Sequence, residues 1–140
     1  MEIKAKKLHP NAVLPSYALA GDAGMDLRSL KEYVVKPGQS TWVETGVALE
    51  FPNEYAALIW DKGGVAKREI KTIGGVFDAN YRGDYSIGLV NLGKTDYVIK
   101  KGDKIAQVLV QKIERPTVRE VTELSESERG EKRFGSTGKR

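Results

Sequence analysis

Turn-forming residues cut this chain into runs too short for helices and rich in β-favouring side chains. Pro37-Gly38, Pro52-Asn53, Lys101-Gly102 and a series of single glycines separate runs at 25–30, 32–35, 40–43, 47–51, 55–60, 96–99 and 105–113. Residues 2–7 alternate weakly and read as an edge strand ended by His9-Pro10, while 11–21, with Pro15, reads as loop. The one plausible helix is short, at about 64–69. Many strands at short, regular spacing point to an all-β sandwich or closed barrel. No internal repeat and no second domain are visible in the 140 residues.

The segment Gly74-Gly75-Val76-Phe77-Asp78-Ala79-Asn80-Tyr81-Arg82-Gly83-Asp84 reads as the two arms of a β-hairpin, with a strand resuming at 85–90. Two glycines before Val76 and Phe77 allow a flat ring to approach bare backbone, since no Cβ intervenes. A carboxylate, Asp78, ends the first arm and an aromatic, Tyr81, sits in the turn. A fixed acid beside an aromatic suits a small cyclic ligand and a water that needs a base. A turn-capping aspartate in an ordinary hairpin would look the same.

Charge placement narrows the partners. Five cations (Arg129, Lys132, Arg133, Lys139, Arg140) against one acid (Glu131) at the C-terminal end account for the whole formal charge of +4. The remaining chain is neutral, so a broad nucleic-acid face is not expected, and a basic glycine-rich tail suits a compact anion better. There are no cysteines, which excludes disulfides and thiolate metal sites. The apolar run at 55–60 is too short for a bilayer, and the first residues lack the apolar core of a secretory signal. A cytoplasmic protein without membrane contact is the default expectation.

Two further stretches carry polar groups that need an account. Residues 105–110 are apolar on both strand faces except at Gln107, so that strand belongs in a sheet centre or under a subunit contact. Gln107 either bonds neighbouring backbone or serves a ligand. From 124 onward periodicity is lost, and the chain ends Phe134-Gly135-Ser136-Thr137-Gly138-Lys139-Arg140. A mobile end and a phosphate cradle of N–H groups and hydroxyls both fit that composition.

Taken in order, four blocks resemble the motifs of the trimeric dUTP diphosphatases (dUTPases). They are Asp22-Ala23-Gly24-Met25-Asp26-Leu27, then Gly75-Val76-Phe77-Asp78-Ala79-Asn80-Tyr81-Arg82-Gly83, then Gly102-Asp103-Lys104-Ile105-Ala106-Gln107. The last is Arg129-Gly130 followed by Phe134-Gly135-Ser136-Thr137-Gly138. The resemblance implies a distorted jelly-roll β-barrel or sandwich with one short helix, forming a homotrimer whose sites are shared between subunits. Residues 1–123 would form the jelly-roll domain and 124–140 a flexible arm that closes the site.

It also implies roles. Asp78 would activate the water that attacks the α-phosphorus of dUTP, giving dUMP and diphosphate. Tyr81 would pack on the deoxyribose and exclude a 2′-hydroxyl. Backbone of Gly74, Gly75 and Val76 would read uracil, with Thr72 close to the base, and Gln107 would bond phosphate oxygens. From a third chain, Arg129 would hold the terminal phosphate, Phe134 would stack on uracil, and Gly135, Ser136 and Thr137 would close over the phosphates. Mg²⁺ would be held by the phosphates and water, with Asp26 acting through those waters.

The second motif departs from the family pattern of Arg-Ser-Gly and a small apolar pair. Here the aligned residues are Lys62-Gly63-Gly64-Val65-Ala66, still placed as phosphate binders. Lys62 keeps the charge without arginine's planar fork. Gly63 lacks the hydroxyl that contacts the phosphate bridge in relatives. The stretch after it, Lys67-Arg68-Glu69-Ile70, is about one residue shorter than in common relatives. A slow or engineered enzyme, or a non-catalytic trimer that binds another protein, is the alternative expectation. A dCTP deaminase on the same fold is a second, but its additional acid and amide groups are not found around 62–68.

Overall fold

In the computed structural model, which describes residues 1–131, eleven short strands and one turn of helix make up the regular structure. In chain order they are β1 (Lys4–Lys7), β2 (Met25–Arg28), β3 (Tyr33–Val35), β4 (Ser40–Val43), β5 (Val47–Glu50) and β6 (Tyr55–Trp60). The helix α1 (Gly63–Ala66) follows, then β7 (Ile70–Ile73), β8 (Val76–Phe77), β9 (Ile87–Asn91), β10 (Tyr97–Ile99) and β11 (Lys104–Lys112). All pairings are antiparallel. The sheets run β2-β11-β6-β8, β4-β9-β7, β1-β5 and β10-β3, which is the expected all-β, distorted jelly-roll architecture.

Burial explains the strand order. Ile105, Ala106 and Val108 of β11 are 0% exposed, so this strand needs cover on both faces and neighbours at both edges. It obtains the edges from β2 and β6. Leu27, Leu49, Ile70, Leu89 and Ile99 close the core from the other sheets.

Three expectations are corrected. Residues 74–84 are not the two arms of one hairpin: β8 pairs with β6 in one sheet, whereas β9 pairs with β4 and β7 in another. After Phe77 the chain must therefore cross between sheets, and 78–86 forms the crossing without a strand. A strand not expected from the sequence, β7, pairs with β9 and buries Ile70 and Thr72 on alternate positions. The helix is also earlier and shorter than expected, because the chain leaves it through Glu69 in a left-handed conformation, φ 60°.

Candidate functional site

Between β7 and β8, Gly74 and Gly75 adopt φ of 75° and 145°, where a side chain is strained. A Cβ on Gly75 would also stand 3.2 Å from the Ile59 carbonyl oxygen, while the Gly75 carbonyl accepts from the Ile59 N–H at 2.7 Å. The glycine pair thus lays bare backbone along β6 and opens a cleft of about 490 Å³. Gly74, Gly75, Val76, Asp78 and Tyr81 line it together, joined by Trp42, Phe77, Asp84 and Ser86. The side chain of Val76 is 70% exposed on a strand only two residues long.

The floor of the cleft is fixed without any ligand. The Tyr81 N–H donates to the Asp78 carbonyl at 3.1 Å, and Arg82 Nη1 donates to the carbonyls of Ala79 (2.6 Å) and Tyr81 (3.0 Å). Asp84 Oδ1 accepts from the N–H groups of Gly46 (2.6 Å) and Val47 (3.1 Å), and Oδ2 accepts from Ser86 Oγ. Phe77 stacks on Tyr85 at 4.1 Å with an interplanar angle of 11°, and Tyr81 tilts against Phe77 at 47°. Tyr85 is fully buried, and burial pushes its phenol up to about 12.

A second polar cluster forms around Asp26, which is 4% exposed on β2. Lys62 Nζ lies 2.6 Å from Oδ1 and Lys104 Nζ 2.5 Å from Oδ2. Burial alone would raise this carboxyl, but the bonds from Lys104 and Lys62 outweigh it and hold the group below its ordinary range. Gln107 faces Asp26 across the β2–β11 pairing, and its Nε2 donates to the Asp61 carbonyl at 3.0 Å. A Cβ on Gly24 would stand 2.7 Å from Gln107 Oε1, so glycine there leaves room for the amide. Gly63 and Gly64 open α1, and a Cβ on either would meet nothing within 4 Å.

The two groups of residues lie apart on one chain. Asp26 is on β2 and Phe77 on β8, at opposite edges of the four-stranded sheet. Asp26 shares a row with Gln107 and Trp60, whereas Phe77 pairs with Ala57, three residues back along β6. Three inter-strand spacings and three residues of strand rise separate the two backbones by about 17 Å. One small ligand cannot touch both clusters of the same chain.

The dUTPase family model matches residues 10–138. The chain belongs to the dUTPase family. Among its relatives, the deoxyuridine 5'-triphosphate nucleotidohydrolase of Clostridioides difficile is 42% identical over 139 residues, 97% of each chain. That of Trichodesmium erythraeum is 40% identical over 99% of each. The structure of the Staphylococcus bacteriophage 80alpha dUTPase with dUPNHPP superposes with a TM-score of 0.92 at 30% identity, covering 98% of both chains. A second structure, of the phage phi11 dUTPase from S. aureus, is described with a structural Mg(II) ion; it has a TM-score of 0.83 at 25% identity, covering 88% of this chain and 98% of that one.

Against the pattern expected of a dUTPase, the structure brings Gly74, Gly75, Val76, Asp78 and Tyr81 into one cleft. It gathers Asp26, Lys62 and Gln107 elsewhere. Thr72 does not line the cleft: it is buried, and its N–H and hydroxyl both donate to Asp61 Oδ1, at 2.8 and 2.7 Å. That carboxylate, which also pairs with Lys71, is the reason Thr72 points away. Arg129 lies exposed in the 127–130 turn, where the Gly130 N–H donates to the Ser127 carbonyl at 3.1 Å. Phe134, Gly135, Ser136 and Thr137 lie outside the described residues.

Sequence reasoning missed Asp61, Asp84 and Lys104 as partners. Lys104 and Asp84 stand inside or directly after the quoted blocks, but nothing in the sequence pairs them with Asp26 or with the Gly46 turn. Among the described residues, no three His, Asp or Glu side chains gather as metal ligands. Both oxygens of Asp26 already face ammonium groups, so the chain's donors do not fit a directly bound resident metal ion.

Proposed function

We propose that this chain hydrolyses dUTP to dUMP and diphosphate, limiting uracil in DNA and supplying dUMP for thymidylate synthesis. The observation that carries the reading is the joint placement of Asp78, Tyr81 and the bare Gly74–Val76 backbone in one cleft. The backbone offers fixed N–H and C=O groups that match the uracil edge and mismatch cytosine. Tyr81 presents its ring to the sugar, where a 2′-hydroxyl finds no room.

Asp78 takes a proton from the attacking water as that oxygen bonds to the α-phosphorus. The bond from that phosphorus to the bridging oxygen breaks, and diphosphate carries away the electron pair. Gln107 donates to phosphate oxygens by leaving the Asp61 carbonyl. Lys62 supplies positive charge, and the Gly63 and Gly64 N–H groups at the start of α1 remain free to donate. Arg129 is assigned the terminal phosphate, on a 124–140 arm in which Phe134 would stack on the base and Gly135 to Thr137 would cover the phosphates. Mg²⁺ is read as part of the substrate, carried in on the triphosphate. Asp26 would meet its waters only by releasing one lysine.

A homotrimer follows from the 17 Å gap, since a complete site requires the cleft of one chain and the Asp26–Gln107 cluster of another. Trp42, Trp60 and Val76, 59%, 54% and 70% exposed, supply apolar surface for that contact. The protein-scaffold alternative rested on Lys62-Gly63, yet Lys62 still places its cation within the cluster. Steady-state release of diphosphate from dUTP with Mg²⁺ tests the reading. Tight dUTP binding without turnover would favour the scaffold.

A further inference from the structure

We propose that Gly83 is a positioning residue for substrate selection: its missing side chain sets how the Tyr81 ring lies in the cleft. The inference rests on the reading of Tyr81 as the wall that meets the sugar. A Cβ on Gly83 would stand 2.3 Å from Tyr81 Oη, 2.6 Å from Cζ and 3.0 Å from Cε2. Side-chain atoms do not approach that closely, so any residue other than glycine displaces the ring.

The backbone is not the reason for glycine here. Gly83 is not among the residues with positive φ, unlike Gly74 and Gly75, and other residues could adopt its conformation. The demand comes from the ring. Its inner side is closed by Phe77 at 5.6 Å and Tyr85 at 6.1 Å, themselves stacked, with Tyr85 fully buried. Its hydroxyl donates to the Asp84 carbonyl at 3.0 Å, and Asp84 is tied down by Gly46 and Val47. A methyl group at position 83 therefore drives the ring outward, across the space meant for the sugar, and breaks the bond to Asp84. Asp78 keeps its own turn, so binding is lost while the chemical step survives.

The test is the Gly83→Ala variant of the full chain, checked for assembly by sedimentation and thermal melting. KM for dUTP is expected to rise about tenfold while kcat stays within about threefold. In a Tyr81→Ala background the same substitution should change KM by less than about twofold, because the displaced group is gone. An unchanged KM in Gly83→Ala, or an equal rise in both backgrounds, overturns the inference. Should Gly83→Ala fail to assemble, Tyr81→Phe, which frees the ring from Asp84, takes its place, and an unchanged KM again overturns it. If the parent chain releases no diphosphate from dUTP, the proposed function fails separately. A crystal structure of Gly83→Ala then decides the ring: Oη still bonded to the Asp84 carbonyl overturns the inference, and a displaced ring upholds it.

Discussion

Lys62 Nζ lies 2.6 Å from Asp26 Oδ1, joining the variant second motif to the first through a carboxylate that is 4% exposed. Removing that charge strands two ammonium groups against a buried site. Asp26→Asn should cost about 3 kcal/mol by urea melts, the lower end for a buried pair because both lysines are about a third exposed. The folded-state carboxyl titrates below its unfolded value, so its stabilisation is complete above about pH 4. It is lost as pH falls through the lower folded-state value. The variant should therefore show a flatter acid limb of stability against pH, and an unchanged limb would remove Asp26 from that role.

Asp78→Asn should fold and assemble, yet lose about 10²–10⁴ in kcat. Gln107→Ala should also be impaired, for loss of a phosphate donor. Mixed one to one, with subunits exchanged, the two defective chains should regain about a quarter of parent activity, since one site in four combines both intact clusters. No recovery would place Asp78 and Gln107 of one chain in the same site.

Gly63→Ser should raise kcat, by up to about 10²-fold if the new hydroxyl reaches the bridging oxygen in the transition state. The open space around a Cβ at this position means that thermal stability should hardly move. Equal kcat in both proteins would show that the backbone N–H already does the work.

Glu69 holds φ 60° where the chain leaves α1. Glu69→Gly should relieve that strain and stabilise the fold by about 0.5–1 kcal/mol, read as a higher melting temperature with unchanged KM. A lower melting temperature would mean that the glutamate side chain contributes more than the strain costs.

Much of the fold was legible because burial and strand period act locally. Ile105, Ala106 and Val108 announced a central strand, and β11 is one. Asp78, Tyr81 and the two glycines were legible through their residue types. The hairpin reading failed because pairing is a long-range choice: nothing within 74–90 says that β8 joins β6 while β9 joins β4 and β7. Thr72 was misplaced for a similar reason, since Asp61 captures it from eleven residues away. The Lys104 contact to Asp26 was hidden by a separation of 78 positions and by the bulge between Lys104 and Ala106.

The distance between the cleft and the Asp26 cluster ties catalysis to concentration. Diluted until protomers part, every chain could keep its strands and its melting behaviour while the specific activity vanished. Folding and function would then follow different isotherms, and an assay run at nanomolar protein would report association before it reported chemistry.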